Sequence, residues 1–282
     1  MRYLAGCLYM GLFCFLMPLT DVIARILVEG GLSATQIIML RSCVIISVLL
    51  PWLWIRKELA VPRHLWKWYA MRSLFFFSAV SVWLSILEYV PLADLYAVGF
   101  SAPIFAALLS VIFLGDRLTG PRIVGIVGGL LGSVIVTRPG LREIDPHIWL
   151  AFLCALFWAG GMVVSKHLSG KRSHGGLVFY LSLSFIFLSA TWALPDWTVP
   201  SMSQWGLLVL IGLMTLVAHL VLLEAFERAP LTVLTPIDFS TLVFSAIFGW
   251  MFFQEGLDMY TALGGLVIFA SATYTTLRTK AA

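Results

Sequence analysis

Ten apolar stretches, separated only by short polar breaks, fill this 282-residue chain. They run over 3–28, 33–54, 68–90, 91–114, 121–138, 148–168, 176–196, 204–228, 230–253 and 258–277. A spanning helix needs roughly 20 apolar residues, and its backbone polar groups must be satisfied within the helix when no water is available. The pattern therefore predicts an all-α integral membrane protein with ten transmembrane helices. Composition agrees: 61% of residues are hydrophobic and 11% charged, against about 25% charged in a soluble domain. The breaks, such as RKELAVPRHLWK at 56–67 and SGKRSHGG at 169–176, are too short to hold a soluble domain. The first stretch begins like a signal peptide with one basic residue. It runs on too long and lacks a small-residue cleavage pattern, so it reads as the first membrane helix.

The net charge of +4 does not point to nucleic acid, because the basic residues sit in small clusters between apolar runs. That distribution carries topology. With the N-terminus in the cytoplasm and ten crossings, thirteen basic residues fall on the cytoplasmic side (Arg2, Arg56, Lys57, Arg63, Lys67, Arg117, Arg122, Lys166, Lys171, Arg172, Arg228, Arg278 and Lys280). Only Arg25, Arg138 and Arg142 fall on the other. The expectation is a multi-pass protein of the cell (inner) membrane with both termini cytoplasmic. Cys7, Cys14, Cys43 and Cys154 all lie in apolar segments without CxxC or metal-ligand spacing, so neither a disulfide framework, a metal nor a cofactor is expected.

Two proline-led segments, PLADLYAVGFSAP at 91–103 and PLTVLTPIDFSTL at 230–242, each carry an aspartate into an apolar run. At a fixed offset of 139, residues 88–125 align without gaps on 227–264, pairing Glu88 with Glu227, Pro91 with Pro230, Phe100 with Phe239 and Gly125 with Gly264. The period covers five helices. An odd number inverts the second copy in the membrane, and inverted repeats are an architecture of secondary transporters, with the solute site near the midplane. The expected units are 1–138 and 148–277.

The residues that carry this repeat also resemble a known module. YVPLADLYAVGFSAPIFAALLSVIFLGDRLTGPRIVGIVGGLLGSVIVTRPG at 89–140 is similar to the end of an EamA module of the drug/metabolite transporter superfamily, and 229–274 looks like a second copy. The shared features are a proline-led fourth helix, a terminus of Leu, Gly and an acid, and a Gly-rich fifth helix. The chain departs from that pattern at Asp116, where Glu is more usual, at Gln254, where Gly is usual, and at Pro18 and Asp21 in the first helix. The resemblance implies two inverted EamA-like repeats and transport of small metabolites by alternating access. The solute would be an amino-acid-like zwitterion or a flat cationic or aromatic compound. Export is the expected direction, and uptake of the S-adenosylmethionine or riboflavin type is the alternative.

Candidate site residues follow from the cost of charge in lipid. Asp238 lies about 12 Å into the ninth stretch at 1.5 Å per residue, where a carboxylate costs ~2.5–3.5 kcal/mol unless it faces a cavity or partner. It reads as a solute-amine or proton site, or as the mate of a buried arginine. Arg41, in the body of the second stretch, resembles an arginine common in these modules. It would bind a carboxylate or pair with Asp21 or Asp238. Asp21 can also pair with Arg25 one turn on. Glu88 and Glu224, near opposite faces, are gate or ion-pair candidates, with Glu227 competing for the second position. His219 is a candidate proton carrier or a helix–helix hydrogen-bond partner. Trp83, Tyr96, Phe100, Trp158, Tyr180 and Phe239 are candidates for an aromatic wall, although most rings in such a chain face lipid or pack helices. The glycines of GIVGGLLG at 125–132 form a close-packing face suited to a homodimer, so the chain is expected as monomer or homodimer.

An enzyme is the rival from another class, but the sequence holds no HExxH, paired metal aspartates or Ser/His/Asp set, and its loops are too short for a catalytic head. A channel lacks its polar stripe, and a pure interaction protein leaves the buried charges unexplained. The expected partners are a small-molecule substrate, the bilayer and protons as coupling ion, with no nucleic acid.

Overall fold

The computed structural model describes residues 2–86, 99, 101–137, 148–170, 173–195, 197–254 and 259–279. Its helices are α1 Arg2–Glu29, α2 Ala34–Arg56, α3 Trp66–Ile86, α4 Ser101–Leu114, α5 Gly120–Thr137, α6 Ile148–Leu168, α7 His174–Ala193, α8 Met202–Arg228, α9 Leu231–Asp238, α10 Ser240–Phe253 and α11 Met259–Thr279. A 3-10 turn, Arg63–Leu65, precedes α3. No strand occurs among the described residues. Helices α9 and α10 join at Phe239 into one crossing, so the described helices form ten crossings. Six segments, including Tyr3–Glu29, Met202–Arg228 and Leu231–Phe253, are individually long and apolar enough to span a bilayer.

Hydrogen bonds between distant turns fix how the crossings alternate. At one face, here the terminal face because α1 starts and α11 ends there, Tyr180 donates to the Leu59 carbonyl at 2.6 Å and Lys166 to that of Ala229 at 2.8 Å. At the far face, Gln36 donates to the Thr198 carbonyl at 2.5 Å and Gln204 to that of Gly30 at 2.9 Å. Serine caps start three of the helices by accepting free backbone N–H groups: Ser33 for α2, Ser173 for α7, and Ser201, in a reciprocal capping box with Gln204, for α8.

The two halves share their backbone signals and their packing. Gly31 after α1 and Gly170 after α6 are both left-handed, at φ 89° and 76°, and lie 139 residues apart. Gly115 after α4 and Gln254 after α10 repeat the device at φ 71° and 55°, again 139 apart. Helix α1 packs on α8 as α6 packs on α3, and α1 meets α9 and α10 as α6 meets α4. Helices α2 and α7 pack on each other, as do α5 and α11. Each contact maps onto its mate when the halves are exchanged, so the chain is two inverted five-helix repeats. Exchange of partners creates two interleaved bundles, α1–α2–α8–α9/α10 and α3–α4–α6–α7.

One expectation needs correction. The glycine face of α5 is used inside the chain rather than between copies. A Cβ at Gly128 would collide with the Ser271 side chain, and one at Gly129 with the Phe239 ring. One at Gly132 would lie 2.7 Å from the Gly264 carbonyl. The stripe is where α11 and Phe239 approach the α5 backbone.

Candidate functional site

A cavity of about 180 Å³ opens between the two bundles. The bundle of α1, α2, α8 and α9/α10 brings Asp21, Arg41, His219 and Asp238 to its wall together with the Phe13 ring, while the other brings Phe76, Trp83, Trp158 and Phe185. The folding repeat is symmetric but the chemistry is not: the ionisable groups face the rings.

Local sequence explains how each group arrives there. Pro236 has no N–H for the helix ladder, and α9 ends two residues later at Asp238. This break places the carboxylate inside the protein, 8% exposed. The Cys14 thiol lies 3.9 Å from Oδ1, and the Thr241 hydroxyl also acts on the carboxylate. Among the described residues Asp238 forms no ion pair within 4 Å. Arg41 reaches the cavity from α2 and likewise has no hydrogen bond or ion pair among the described residues. Asp21 is the opposite charge that acts on it. Arg25 pairs with Glu29 at 3.0 Å and lies over the Phe253 ring at 4.0 Å, while Asp21 faces the cavity.

His219 Nδ1 lies 2.9 Å from the Thr215 carbonyl one turn earlier. A carbonyl only accepts, so Nδ1 carries the hydrogen, and in the neutral ring Nε2 is left as an acceptor. Thr215 also lines the cavity, and its buried hydroxyl has no hydrogen-bond partner among the described residues. Most helical hydroxyls in this chain bond back to their own helix, as Ser42 does to Ile38 and Ser184 to Tyr180.

On the opposite wall, Phe76 and Trp158 meet edge to face with centroids 5.0 Å apart. Phe76 lies flat against Gly161 of α6, where an added Cβ would sit 2.9 Å from three ring atoms. Behind it, the fully buried Arg72 donates to Ser165 Oγ at 2.6 Å and to the Leu177 carbonyl at 2.7 Å. Its guanidinium lies 5.3 Å from the Phe76 centroid, so one cation ties α3, α6 and α7 together beneath the aromatic wall.

Six residues singled out from sequence thus share one cavity: Asp21, Arg41, Trp83, Trp158, His219 and Asp238. Three others lie elsewhere. Tyr180 joins Trp66 and Tyr69 in a ring cluster at the terminal face. Phe239 is fully buried against Gly129. Glu224 pairs with Arg228 at the terminal face. Glu88, Tyr96 and Phe100 lie outside the described residues. Phe76, Phe185, Thr215 and Cys154 line the cavity without standing out in the sequence. For Phe76 the sequence holds one signal, Gly161, whose missing side chain leaves the gap that the ring fills.

Residues 4–138 and 146–277 both match the model of the EamA-like transporter family. A riboflavin transporter of Vibrio cholerae is 28% identical over 255 residues, covering 88% of this chain and 85% of that protein. The pseudopaline exporter CntI of Pseudomonas aeruginosa is 29% identical over 249 residues, 85% of each chain. An S-adenosylmethionine uptake transporter of Rickettsia conorii is 28% identical over 204 residues, 72% of this chain and 69% of that one. A solved crystal structure shares the fold with a TM-score of 0.80 at 20% identity, covering 98% of this chain and 96% of that chain.

Proposed function

Because this chain belongs to the EamA-like transporter family, a family of small-molecule transporters, we propose that the cavity between its bundles is the solute site of a secondary carrier. The observation that carries this reading is the arrangement of the walls: Asp21, Arg41, His219 and Asp238 all stand on one bundle, with Phe13 beside them, and face Phe76, Trp83, Trp158 and Phe185 on the other. A flat solute with a cationic amine fits it. Asp238 takes the cation, Arg41 with Asp21 beside it takes a carboxylate or other acceptor, and Trp83, Trp158, Phe76 and Phe185 cover the planar part. A cation over an aromatic face contributes about 0.5–2 kcal/mol. Rocking of one bundle against the other, with the two halves 1–138 and 148–277 supplying helices to both, exposes the site alternately to each side. Asp238 and His219 are the groups able to carry a coupled proton.

A secondary carrier runs in either direction, so export and uptake use one site and the coupling gradient sets the outcome. The similarity to an exporter and to uptake transporters supports both. The terminal face is the cytoplasmic one, and the cell membrane its location, on the distribution of Lys and Arg.

The test is uptake of radiolabelled riboflavin, S-adenosylmethionine and tryptophan into proteoliposomes, with and without an imposed pH gradient. Saturable accumulation of at least one, stimulated by the gradient and cross-inhibited by the others, is expected. Absence of any protein-dependent flux for a panel of flat cations and zwitterions overturns the reading.

A further inference from the structure

The cavity occupies only part of the molecule's depth. Much of its lining comes from the far-face half of the long helices, with Asp21 and Ala24 late in α1, Ile37 early in α2, Trp83 late in α3 and Cys154 early in α6, while His219 and Asp238 lie at its floor, on the terminal-face side of mid-depth. The terminal-face side beyond that floor is filled instead. Met10, Leu53, Leu168, Leu177 and Phe226, drawn from both bundles, are fully buried in one core cluster there.

Around that plug, polar side chains cross from one bundle to the other. Lys166 of α6 donates to the carbonyls of Phe226 and Ala229. These belong to the C-terminal end of α8, where carbonyls lack helical partners and the helix dipole favours a cation. His174 of α7 lies 3.4 Å from Glu224 Oε1 and 3.0 Å from Glu227 Oε2. Arg228, one turn from Glu224, holds that carboxylate at 2.5 Å. At the far face, by contrast, the bonds that Gln36 and Gln204 make between turns run to the 194–201 connection and to Gly30.

We propose that Lys166 and His174 on one bundle, seated on Glu224, Glu227 and the end of α8 on the other, form a latch that holds the carrier shut at its terminal face while the solute site is open toward the far face. The proposal rests on the carrier reading and adds the residues that set its resting state.

The repeat supplies a second argument. Under the 139-residue offset that relates Gly31 to Gly170, Lys166 corresponds to Leu27 and His174 to Thr35. The second repeat therefore has a lysine and a histidine where the first has neither. Two states interchanged by a two-fold axis start near equal in energy, and side-chain contacts made at one face only tilt the equilibrium toward closure there. An exposed ion pair contributes little. Lys166 is different, because it spans two helix ends and leaves two carbonyls unmatched when it is removed.

Spin labels at two cysteine pairs test the latch, in a chain whose four native cysteines are replaced by alanine. Tyr3→Cys with Leu118→Cys reports across the bundles at the terminal face, and Met202→Cys with Trp149→Cys at the far face; all four positions are exposed. In the double variant Lys166→Met, His174→Phe, the terminal-face distance should lengthen and the far-face distance shorten. The minor population should rise at least about tenfold, equivalent to ~1.4 kcal/mol. Lys166→Arg alone should keep the parent distribution. A double variant that is monodisperse and thermally as stable as the parent, yet keeps both parent distributions, overturns the latch. If that variant also still moves solute in proteoliposomes, only the latch falls. If neither parent nor variant moves solute and neither pair ever changes distance, the carrier reading falls with it.

Discussion

Asp238 decides at the level of a single residue whether the cavity is a site or a packing fault. A carboxylate that existed to neutralise a buried arginine would stand within an ion-pair distance of one, and its loss would strand a charge at ~3–5 kcal/mol. Asp238 instead meets neutral groups, the Cys14 thiol 3.9 Å away and the Thr241 hydroxyl, and forms no ion pair within 4 Å among the described residues. Asp238→Asn should therefore leave the melting temperature in detergent unchanged or slightly raised, because it removes a charge that burial disfavours. Transport should fall about 10–100-fold, the effect of losing a charged hydrogen bond worth ~1.5–3 kcal/mol to the solute. A folded Asp238→Asn protein that transports like the parent would remove Asp238 from the site. Asp21, Arg41, His219 and Asp238 are legible in the sequence itself, because charge in an apolar run is costly wherever it points. The rings are not. Tyr180 and Trp158 look alike in an apolar helix, and only the helix's rotation sends Trp158 into the cavity and Tyr180 to the Leu59 carbonyl. Arg72 is hidden for another reason: its partners, Ser165 and Leu177, are neutral and more than ninety residues away in sequence.

Elements are easier to read than residues, since a spanning helix advertises itself by length and apolarity, and Gly31, Gly115 and Gly170 mark where helices stop. What the apolar runs conceal is which face of each helix meets which neighbour. The glycines of α5 suggest close packing from sequence alone, but the partner is α11 of the same chain, not a second copy. Spacing gives the small face, whereas only tertiary structure gives its occupant. The break between α9 and α10 is half legible: Pro236 announces it, and its consequence, Phe239 turned onto Gly129, depends on α5 being there. The α5–α11 contact yields its own prediction. At Gly132 a Cβ would stand 2.7 Å from a backbone carbonyl and 2.6 Å from Ile268. A flexible side chain can move aside but the carbonyl cannot, so Gly132→Ala should cost about 1–3 kcal/mol as overpacking. Thermal unfolding in detergent should show this as a lowered midpoint. Gly120→Ala, with open space around its Cβ, should not lower it. Equal midpoints for the two variants would mean that α5 and α11 are less tightly packed than their backbones indicate.

For the whole molecule, the remaining question is which way it sits in the membrane, because a two-fold repeat looks much the same from either side. Inverted halves cancel most orienting signals of shape, and charge breaks the tie. Among the described residues the terminal face carries Arg56, Lys57, Arg63, Lys67, Arg117, Arg122, Lys166, Arg228 and Arg278, and the far face Arg25, and lysine and arginine at short loops near helix ends are retained in the cytoplasm. The same asymmetry puts Lys166 and His174 on that face. If it is cytoplasmic, the proposed latch closes the inner side and leaves the cavity, with its ionisable and aromatic walls, to be reached from the outside. Two surface positions settle this. Met202 begins α8 at the far face and is 90% exposed; Leu118 lies in the connection between α4 and α5 at the terminal face and is 37% exposed. In intact cells carrying a chain without its native cysteines, Met202→Cys should react with a membrane-impermeant maleimide, and Leu118→Cys should react only after the membrane is permeabilised. The reverse pattern would turn the protein over, with the cavity then facing the cytoplasm and the latch acting as an outer seal. Labelling of both positions from outside would mean that the chain inserts in two orientations. In that case the charge difference between the faces is too small to direct insertion, and two opposite orientations replace the single one argued from Lys and Arg.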